Sequence, residues 1–363
     1  MVYLDLLLVG FGHVGQRLAR LLQEKSVALR RDHGLSWRVV GIATKRHGSA
    51  FDARGLDIVR ALKLVDAGTS LDILTGAESD RMLPPGASGL SLIRHATGES
   101  RLRRLQHLVV VETTLLDIER GQPAIDHVTA ALRGGAHVVT ANKGPVAFAC
   151  RELQSMAESD HREFLFESAV MDGVPIFNLV RETLPVSDIT GFRGVVNATT
   201  NYVLTAMEAG RGQDEALREM QEAGIAEADA SFDIDGWDAA AKTAALLNVL
   251  MRGTATPKTI DRTGIRGVTP EAVRLAVERG KRIRLVARGT RQDGHAVGRV
   301  APEELDAADP LANLTGVQNL LILHTDVLGD IGMLQLDGGL IQTAYGLLSD
   351  LVTIAKRVGD PAP

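Results

Sequence analysis

The stretch that most constrains the fold lies near the N-terminus. Leu4 to Val9 is a short apolar run, followed at once by Gly10-Phe-Gly12-His13-Val14-Gly15 and then by Val14, Leu18, Leu21 and Leu22 at helical spacing. The order is strand, glycine turn, helix, which is the context a G-x-G-x-x-G pattern needs before it can be read as a dinucleotide fingerprint. Gly10 would make the turn, Gly12 would let the backbone approach a pyrophosphate, and Gly15 would let the helix pack on the sheet. The N–H groups of the first helical turn would then meet the phosphates. A glycine-rich turn without a ligand is the plain alternative.

The next segments keep the alternation. Arg38 to Ala43 is a second strand, ending in Thr44-Lys45-Arg46-His47. An NAD-preferring site would carry an acid there for the ribose 2′-hydroxyl; hydroxyl and basic groups suit a 2′-phosphate, so NADP is expected, with NAD possible. Gly48 to Arg104 is polar, with Pro84-Pro85 and several glycines, and reads as helices and loops on the rim. Leu108 to Val111 is a valine-rich run before Glu112-Thr113-Thr114, Gln122 to Leu132 is a helix ended by Gly134-Gly135, and His137 to Thr140 is the next strand. Alternating strands and helices imply a doubly wound parallel sheet. Its ligand belongs beyond the carboxyl ends of the strands, where Thr114 and the Thr140-Ala-Asn142-Lys143-Gly144 turn fall, so Lys143 is a candidate for contacting nicotinamide or substrate.

After Lys143 the pattern changes. Phe164 to Val170 is an apolar strand entering Met171-Asp172-Gly173-Val174-Pro175, and Val195-Val-Asn197 ends a strand in a polar cluster that can cap a helix. Asp229-Ala-Ser-Phe-Asp233-Ile-Asp235-Gly236-Trp237-Asp238-Ala-Ala-Ala-Lys242 is an acid-rich loop running into an alanine-rich helical pattern. With a helix starting near Gly236, Asp238 and Lys242 stand one turn apart on one face. An exposed pair of this kind is worth only about 0.3–0.5 kcal/mol. The acids crowding the loop make this pair a candidate acid–base centre instead. Short β-rich segments between Lys281 and Asp326 suggest a mixed sheet carrying substrate and oligomer surfaces. Gly338-Gly339 then leads into an amphipathic helix with Ala344, Leu347, Leu348, Leu351 and Ile354 on one stripe.

The expected fold is therefore α/β: a Rossmann-type, doubly wound, dinucleotide-binding domain over residues 1–143, a mixed α+β substrate-binding and dimerisation domain over 144–337, and a C-terminal segment, 338–363, returning to the first domain. With 363 residues, 45% of them hydrophobic, the chain can bury a large core. A net charge of −5 with only short basic runs argues against a nucleic-acid partner, and no apolar run reaches membrane-spanning length. A lone cysteine, Cys150, excludes an intrachain disulfide, and the N-terminus lacks a signal-peptide pattern, so a cytoplasmic location is expected.

With these residues laid out, the chain resembles the homoserine dehydrogenase family over nearly its whole length. The resemblance is carried by separated motifs in the right order. They are the N-terminal glycine turn, Thr140-Ala-Asn142-Lys143, Phe166-Glu167-Ser-Ala-Val170, Asn197-Ala-Thr199-Thr-Asn-Tyr202, and Asp229-Ala230 with Asp233, Gly236, Asp238 and Lys242. Asp337-Gly-Gly339, Thr343-Ala344 and Leu348-Ser-Asp350-Leu351 close the series. The resemblance implies a monofunctional form without the appended regulatory domain. It also implies NAD(P)-dependent interconversion of L-homoserine and L-aspartate 4-semialdehyde, in threonine, methionine and isoleucine biosynthesis, by a homodimer.

By position, the resemblance implies that Lys242 is the general acid/base and Asp238 its carboxylate partner. Glu227 and Asp233 would hold the amino end of the substrate, with Thr199 nearby. Gly10, Gly12, His13, Val14, Gly15, Thr114, Lys143, Gly224 and Gly339 would lie close to the cofactor. Glu167, Val170, Asp172 and Val174 would wrap a monovalent cation such as sodium, mostly through main-chain oxygens. The chain departs from the family pattern at Ala230 for proline, Ala198 for glycine, Phe232 for an acid, Ile225 for tyrosine, and Met171-Asp172 in a glycine-rich turn. These departures bear on substrate choice. They leave open a Rossmann dehydrogenase for another amino or hydroxy acid, or a catalytically silent NADP-binding protein.

Overall fold

A computed structural model describes residues 1–75, 84–101, 105–222 and 229–359. The chain divides into two compact units, the first comprising Met1–Pro145, Arg151–Gly173 and Leu340–Pro363, the second Val146–Cys150 and Val174–Gly339.

The first unit is built on six strands: β1 (Val2–Val9), β2 (Leu35–Ala43), β3 (Ser49–Phe51), β4 (His107–Glu112), β5 (His137–Thr140) and β6 (Phe164–Leu165). They lie in the order β3-β2-β1-β4-β5-β6, and every neighbouring pair is parallel except β2 with β3. The order reverses between β1 and β4, which is where a doubly wound sheet opens a crevice for a ligand. The helices are α1 (His13–His33), α2 (Ile58–Asp66), α3 (Gly89–Arg101), α4 (Ala124–Arg133) and α5 (Lys143–Ser159). Strand alternation sends Leu4, Leu6 and Leu8 to one face, where they join Leu18 and Leu22 of α1. On the other face Asp5 is wholly buried, but Arg38 Nε donates to it at 2.5 Å and Gln106 N at 2.7 Å, so the charge is paired.

Two features here differ from the expectation of a rim segment between Gly48 and Arg104. β3 pairs antiparallel with β2, with Ala50 and Phe51 buried, and is too short for alternation to reveal. α3 packs against β2, β3 and α4 with Leu92, Ile93 and Ala96 wholly buried, so it is a layer of the fold. Its polar outer face dominates its composition and hides that stripe.

In the second unit the strands are β7 (Ile189–Val195), β8 (Asp261–Arg262), β9 (Lys281–Gln292), β10 (His295–Asp306), β11 (Asn319–Thr325) and β12 (Asp330–Gln335). The helices are α6 (Ile176–Thr183), α7 (Ala198–Glu208), α8 (Gln213–Glu222), α9 (Ser231–Ile234), α10 (Trp237–Leu250) and α11 (Pro270–Glu278). The sheet is mixed, in the order β12-β11-β7-β9-β10-β8. β9 and β10 form one long hairpin, closed by Asp293 and Gly294 with φ of 50° and 81°, as a tight primed turn requires. The sequence shows only its apolar middle as strand, because the rest carries charges; Arg288 binds Glu303 at 2.6 Å on the sheet surface. α10 packs on this hairpin with Ala239, Ala240, Ala241, Ala244 and Ala245 all buried, small side chains that let helix and sheet approach closely. Ala149 has non-helical φ and ψ inside α5. The Asn248 amide on α10 takes up the nearby carbonyls of Val146 and Ala147 at 3.1 and 3.3 Å.

The last helix, α12 (Leu340–Gly359), belongs to the first unit, as its apolar stripe leads one to expect. Ala344, Leu347, Leu348, Leu351 and Ile354 join the core of β1 and α1, each large side chain worth about 1.5–3 kcal/mol of burial.

One titration is built into this fold. His137 on β5 is buried and its Nδ1 accepts from Glu163 N at 3.1 Å; burial first, then Arg162 and His107, push its pKa from 6.5 down to about 4. The unfolded chain therefore binds this proton first. Stability is fully present above pH 6.5 and is lost as pH falls toward about 4. Between about pH 7.5 and 4.5, urea unfolding is expected to show roughly 2–3 kcal/mol more loss in the wild type than in His137→Asn, whose amide oxygen accepts the same bond without titrating.

Candidate active site

The first unit presents a cradle at the head of β1. Gly10 has φ of 94°, and a Cβ there would lie 2.6 Å from the Thr113 carbonyl, so only glycine fits. Thr113 Oγ1 donates to Gly10 O at 2.7 Å and Thr113 N to Val9 O at 2.8 Å, tying the glycine turn to the end of β4. Gly15 approaches Gly10 so closely that a Cβ would meet its carbonyl oxygen at 2.6 Å. A Cβ on Gly12 would meet no described atom within 4 Å. Gly12 begins α1, no described side chain caps it, and the first turn, with His13 and Val14, holds no acid. Uncapped N–H groups beside open space and without a neighbouring negative charge fit a bound phosphate.

The turn after β2 is fixed from beneath. Thr44 Oγ1 accepts from His47 N at 2.6 Å, while the Asp72 carboxylate accepts from Ser49 N, Ser70 Oγ and Gly86 N at 3.0, 2.8 and 3.2 Å. Burial works against that charge, yet these donors hold the Asp72 pKa below its usual value. Lys45 and Arg46 stand exposed on the turn.

At the ends of β4 and β5 the organising group is Glu112, which sequence reasoning passed over. It is wholly buried and accepts from Thr114 N at 3.1 Å, Thr140 Oγ1 at 3.1 Å and the Thr114 hydroxyl; His127 Nδ1 stands 3.5 Å away. Asn142 caps α5 through Gly144 N at 2.8 Å and donates to Thr114 O at 2.9 Å. Thr114 and Lys143, the half-buried first residue of α5, are thereby held on one polar platform.

The second unit holds the acid–lysine centre. Gly236 sits at φ of 80° and starts α10, which places Asp238 and Lys242 one turn apart with Lys242 Nζ 2.9 Å from Asp238 Oδ2. Their side chains are only 14% and 11% exposed, so this is not a surface pair and its electrostatics are poorly screened. Lys242 Nζ also donates to Val196 O at 2.6 Å. Asn197 ties the centre together: its Oδ1 caps α7 through Thr200 N at 2.8 Å, while its Nδ2 donates to Asp233 Oδ1 at 2.7 Å and Asp238 Oδ2 at 2.9 Å. Thr199, also buried, is hydrogen-bonded to Asp233. Burial and then the Asp238 charge push the Asp233 pKa up, against the hydrogen bonds from Asn197 and Thr199 and the Lys242 charge.

The structure thus brings Asp233, Asp238, Lys242 and Thr199 together. Asn197 was legible only as a cap; its second role leaves no local signal. Gly224 and Glu227, with Ile225, lie outside the described residues. Gly339 is exposed and precedes α12.

Among the cation candidates, Glu167 is buried, with its N–H bound to Asp350 at 2.9 Å, and Val170 is buried beside it. Asp172 and Met171 adopt left-handed φ of 50° and 53°, which costs about 1–2 kcal/mol per residue. Thr343 Oγ1 donates to Asp172 at 3.2 Å. Val174 begins the longer segment of the second unit, and its carbonyl accepts from Ile176 N. The described residues contain no cluster of three or more His, Cys, Asp or Glu side chains suited to a metal. The lone Cys150 is buried, and burial pushes its thiol up to about 12, consistent with packing rather than reactivity.

Comparison with known proteins bears on these arrangements. The model of the homoserine dehydrogenase family matches residues 175–352. A homoserine dehydrogenase of Methanocaldococcus jannaschii is 36% identical over 352 residues, covering 97% of this chain and 98% of the relative. An NAD(+)-dependent homoserine dehydrogenase of Pseudomonas canavaninivorans is 32% identical, covering 98% of this chain and 97% of the relative. Among solved structures, a hyperthermophilic archaeal homoserine dehydrogenase in complex with NADPH is similar with a TM-score of 0.77 at 29% identity, covering 99% of each chain.

The double role of Asn197 is open to measurement. Asn197→Ala removes cap and bridge together and is expected to cost about 2–4 kcal/mol in urea unfolding, whereas Asn197→Ser keeps a cap and is expected to recover about 1 kcal/mol of that. Full recovery by serine would show that the bridge to the two acids contributes nothing.

Proposed function

The chain belongs to the homoserine dehydrogenase family, and from that premise we propose that it interconverts L-homoserine and L-aspartate 4-semialdehyde. The observation that carries this reading onto particular residues is the half-buried Lys242 ammonium, held by Asp238 and the Val196 carbonyl. NAD(P), when bound, supplies or accepts the hydride.

In the reduction, Lys242 donates its proton to the alkoxide oxygen that forms as the aldehyde carbon gains hydride. In the oxidation, its neutral amine takes the hydroxyl proton. Asp238 and Val196 O orient Nζ so that little reorganisation is needed at the moment of transfer. Asp233 takes the substrate ammonium. Its charge is disfavoured by burial and by Asp238, so an incoming cation relieves an existing cost, and this is the electrostatic reason for an amino-bearing substrate. Glu227 is proposed as a second ammonium ligand, and Thr199 as the hydroxyl that keeps Asp233 oriented.

The phosphates of the nucleotide are assigned to Gly10, Gly12, His13, Val14 and Gly15. Thr44, Lys45 and Arg46 are assigned to a 2′-phosphate, which favours NADP, and Thr114, Lys143, Gly224 and Gly339 to the rest of the cofactor. The expected domain limits 1–143, 144–337 and 338–363 differ from the compact units chiefly in one respect: Arg151–Gly173, which carries β6, goes with the first unit because β6 pairs with β5. A monovalent cation at the oxygens of Glu167, Val170, Asp172 and Val174 belongs to the same reading, since carbonyls and a carboxylate are hard donors. A homodimer is proposed as well: β12 is a sheet edge with Leu334 and Leu336 exposed, and sedimentation as a single chain would remove this part.

Lys242→Met is expected to lower kcat for aspartate 4-semialdehyde reduction by about 10³-fold or more while NADPH still binds, as read by absorbance at about 340 nm and by fluorescence titration. Wild-type kcat in this variant would refute the assigned role. Equal or tighter binding of NADH in the same titration would remove the NADP preference.

A further inference from the structure

The acid–lysine centre is backed by a segment to which the mechanism assigns nothing. The chain leaving β8 is fixed to β10 by Thr263 N, which donates to Val300 O at 2.7 Å. From that base four residues, Arg262, Gly264, Ile265 and Arg266, contact the turn between Asp233 and Asp238. The Arg262 guanidinium carbon lies 3.6 Å from the centroid of the Trp237 ring, and its Nη1 donates to Asp235 O. Ile265 N donates to Ile234 O at 2.8 Å. Gly264 comes so near that a Cβ would lie 2.2 Å from Ile234 O and 2.5 Å from Asp235 Cα. Arg266 grips the Asp235 carboxylate at 2.7 and 3.1 Å, but this pair is exposed and screened, so the weight falls on Arg262 and Gly264.

The supported turn, Ile234–Trp237, is the only chain linking the two acids, and it closes through Gly236 in the left-handed region. Asp238 is held independently, because α10 is packed on the sheet along its alanine face. Asp233 rides on α9, only four residues long; Asn197 holds its carboxylate, so slack in the turn falls on the backbone that carries Asp233. We propose that Arg262 and Gly264 are positioning residues of the acid–base centre, which back the Ile234–Trp237 turn and so set where Asp233 stands relative to Asp238 and Lys242. This inference rests on the roles assigned above to Asp233 and Lys242.

If Asp233 holds the substrate ammonium, loosening the turn weakens substrate binding more than the chemical step. In Arg262→Leu, the KM for aspartate 4-semialdehyde is expected to rise about tenfold with kcat within about threefold and the nucleotide KM unchanged, and Arg262→Lys, which keeps a cation over Trp237 and a donor to Asp235 O, to recover most of the loss. Gly264→Ala is expected to act in the same direction as Arg262→Leu. Should Gly264→Ala fail to fold, the two Arg262 variants decide. Amide hydrogen exchange across residues 231–238 is read alongside, and is expected to be about tenfold faster in Arg262→Leu at unchanged global stability. Exchange equal to wild type overturns the proposal, as does a fall in kcat matching the rise in KM without recovery in Arg262→Lys. A wild-type protein that does not turn over aspartate 4-semialdehyde would refute the proposed reaction instead, and exchange alone would then decide whether the segment holds the turn.

Discussion

Two carboxylates and an ammonium are packed under one amide in the second unit, and the rest of that unit is arranged around holding them there. Taking such charges out of water is expensive unless each is paired and hydrogen-bonded. The Asn197 Nδ2 group donates to both acids, its Oδ1 stays on α7, and Val196 O receives Lys242. One short stretch at the end of β7 therefore fixes both acids and the lysine. Counting Asp233 and Asp238 as ionised and Lys242 as charged leaves one negative charge in excess, and burial first, then the Asp238 charge, raises the Asp233 pKa. In the proposed reading, the substrate ammonium answers that excess.

The first unit solves a different problem with backbone. Phosphates need donors and close approach: Gly10 and Gly15 permit the tight turn, Gly12 leaves open space beside it, and Thr113 locks the turn to β4. Glu112 plays the part there that Asn197 plays in the second unit. It is a buried acceptor that gathers the ends of neighbouring strands so that Thr114 and the turn carrying Lys143 are held in place.

What could be read from the sequence was what repeats at short range. Helical spacing put Asp238 and Lys242 on one face and assigned Ala344 to Ile354 to a packing stripe, and both readings agree with the structure. The glycine turn was legible for the same reason, since strand, turn and helix are contiguous. Asn197 and Glu112 were not, because their partners lie far along the chain: Asp238 is 41 residues from Asn197, and Thr140 is 28 from Glu112. Short or charged elements were also hidden. β3 has only three residues, and the outer parts of the β9–β10 hairpin carry arginine and glutamate where alternation would be sought. Membership of the family and the expected role of Lys242 came from ordered motifs, whereas the shielding of its pair with Asp238 from solvent is something no spacing reveals.

As a homoserine dehydrogenase, this chain moves hydride between a nicotinamide and C4 of the aspartate 4-semialdehyde and homoserine pair. Purified protein is supplied with aspartate 4-semialdehyde and, in separate reactions, NADPH deuterated at the 4R or the 4S position of the nicotinamide, and the product is analysed by mass spectrometry and NMR. One of the two cofactors is expected to give homoserine with one deuterium at C4 and the other to give unlabelled homoserine. Unlabelled homoserine from both, or no homoserine at all from folded protein that binds NADPH, would show that no such hydride transfer takes place.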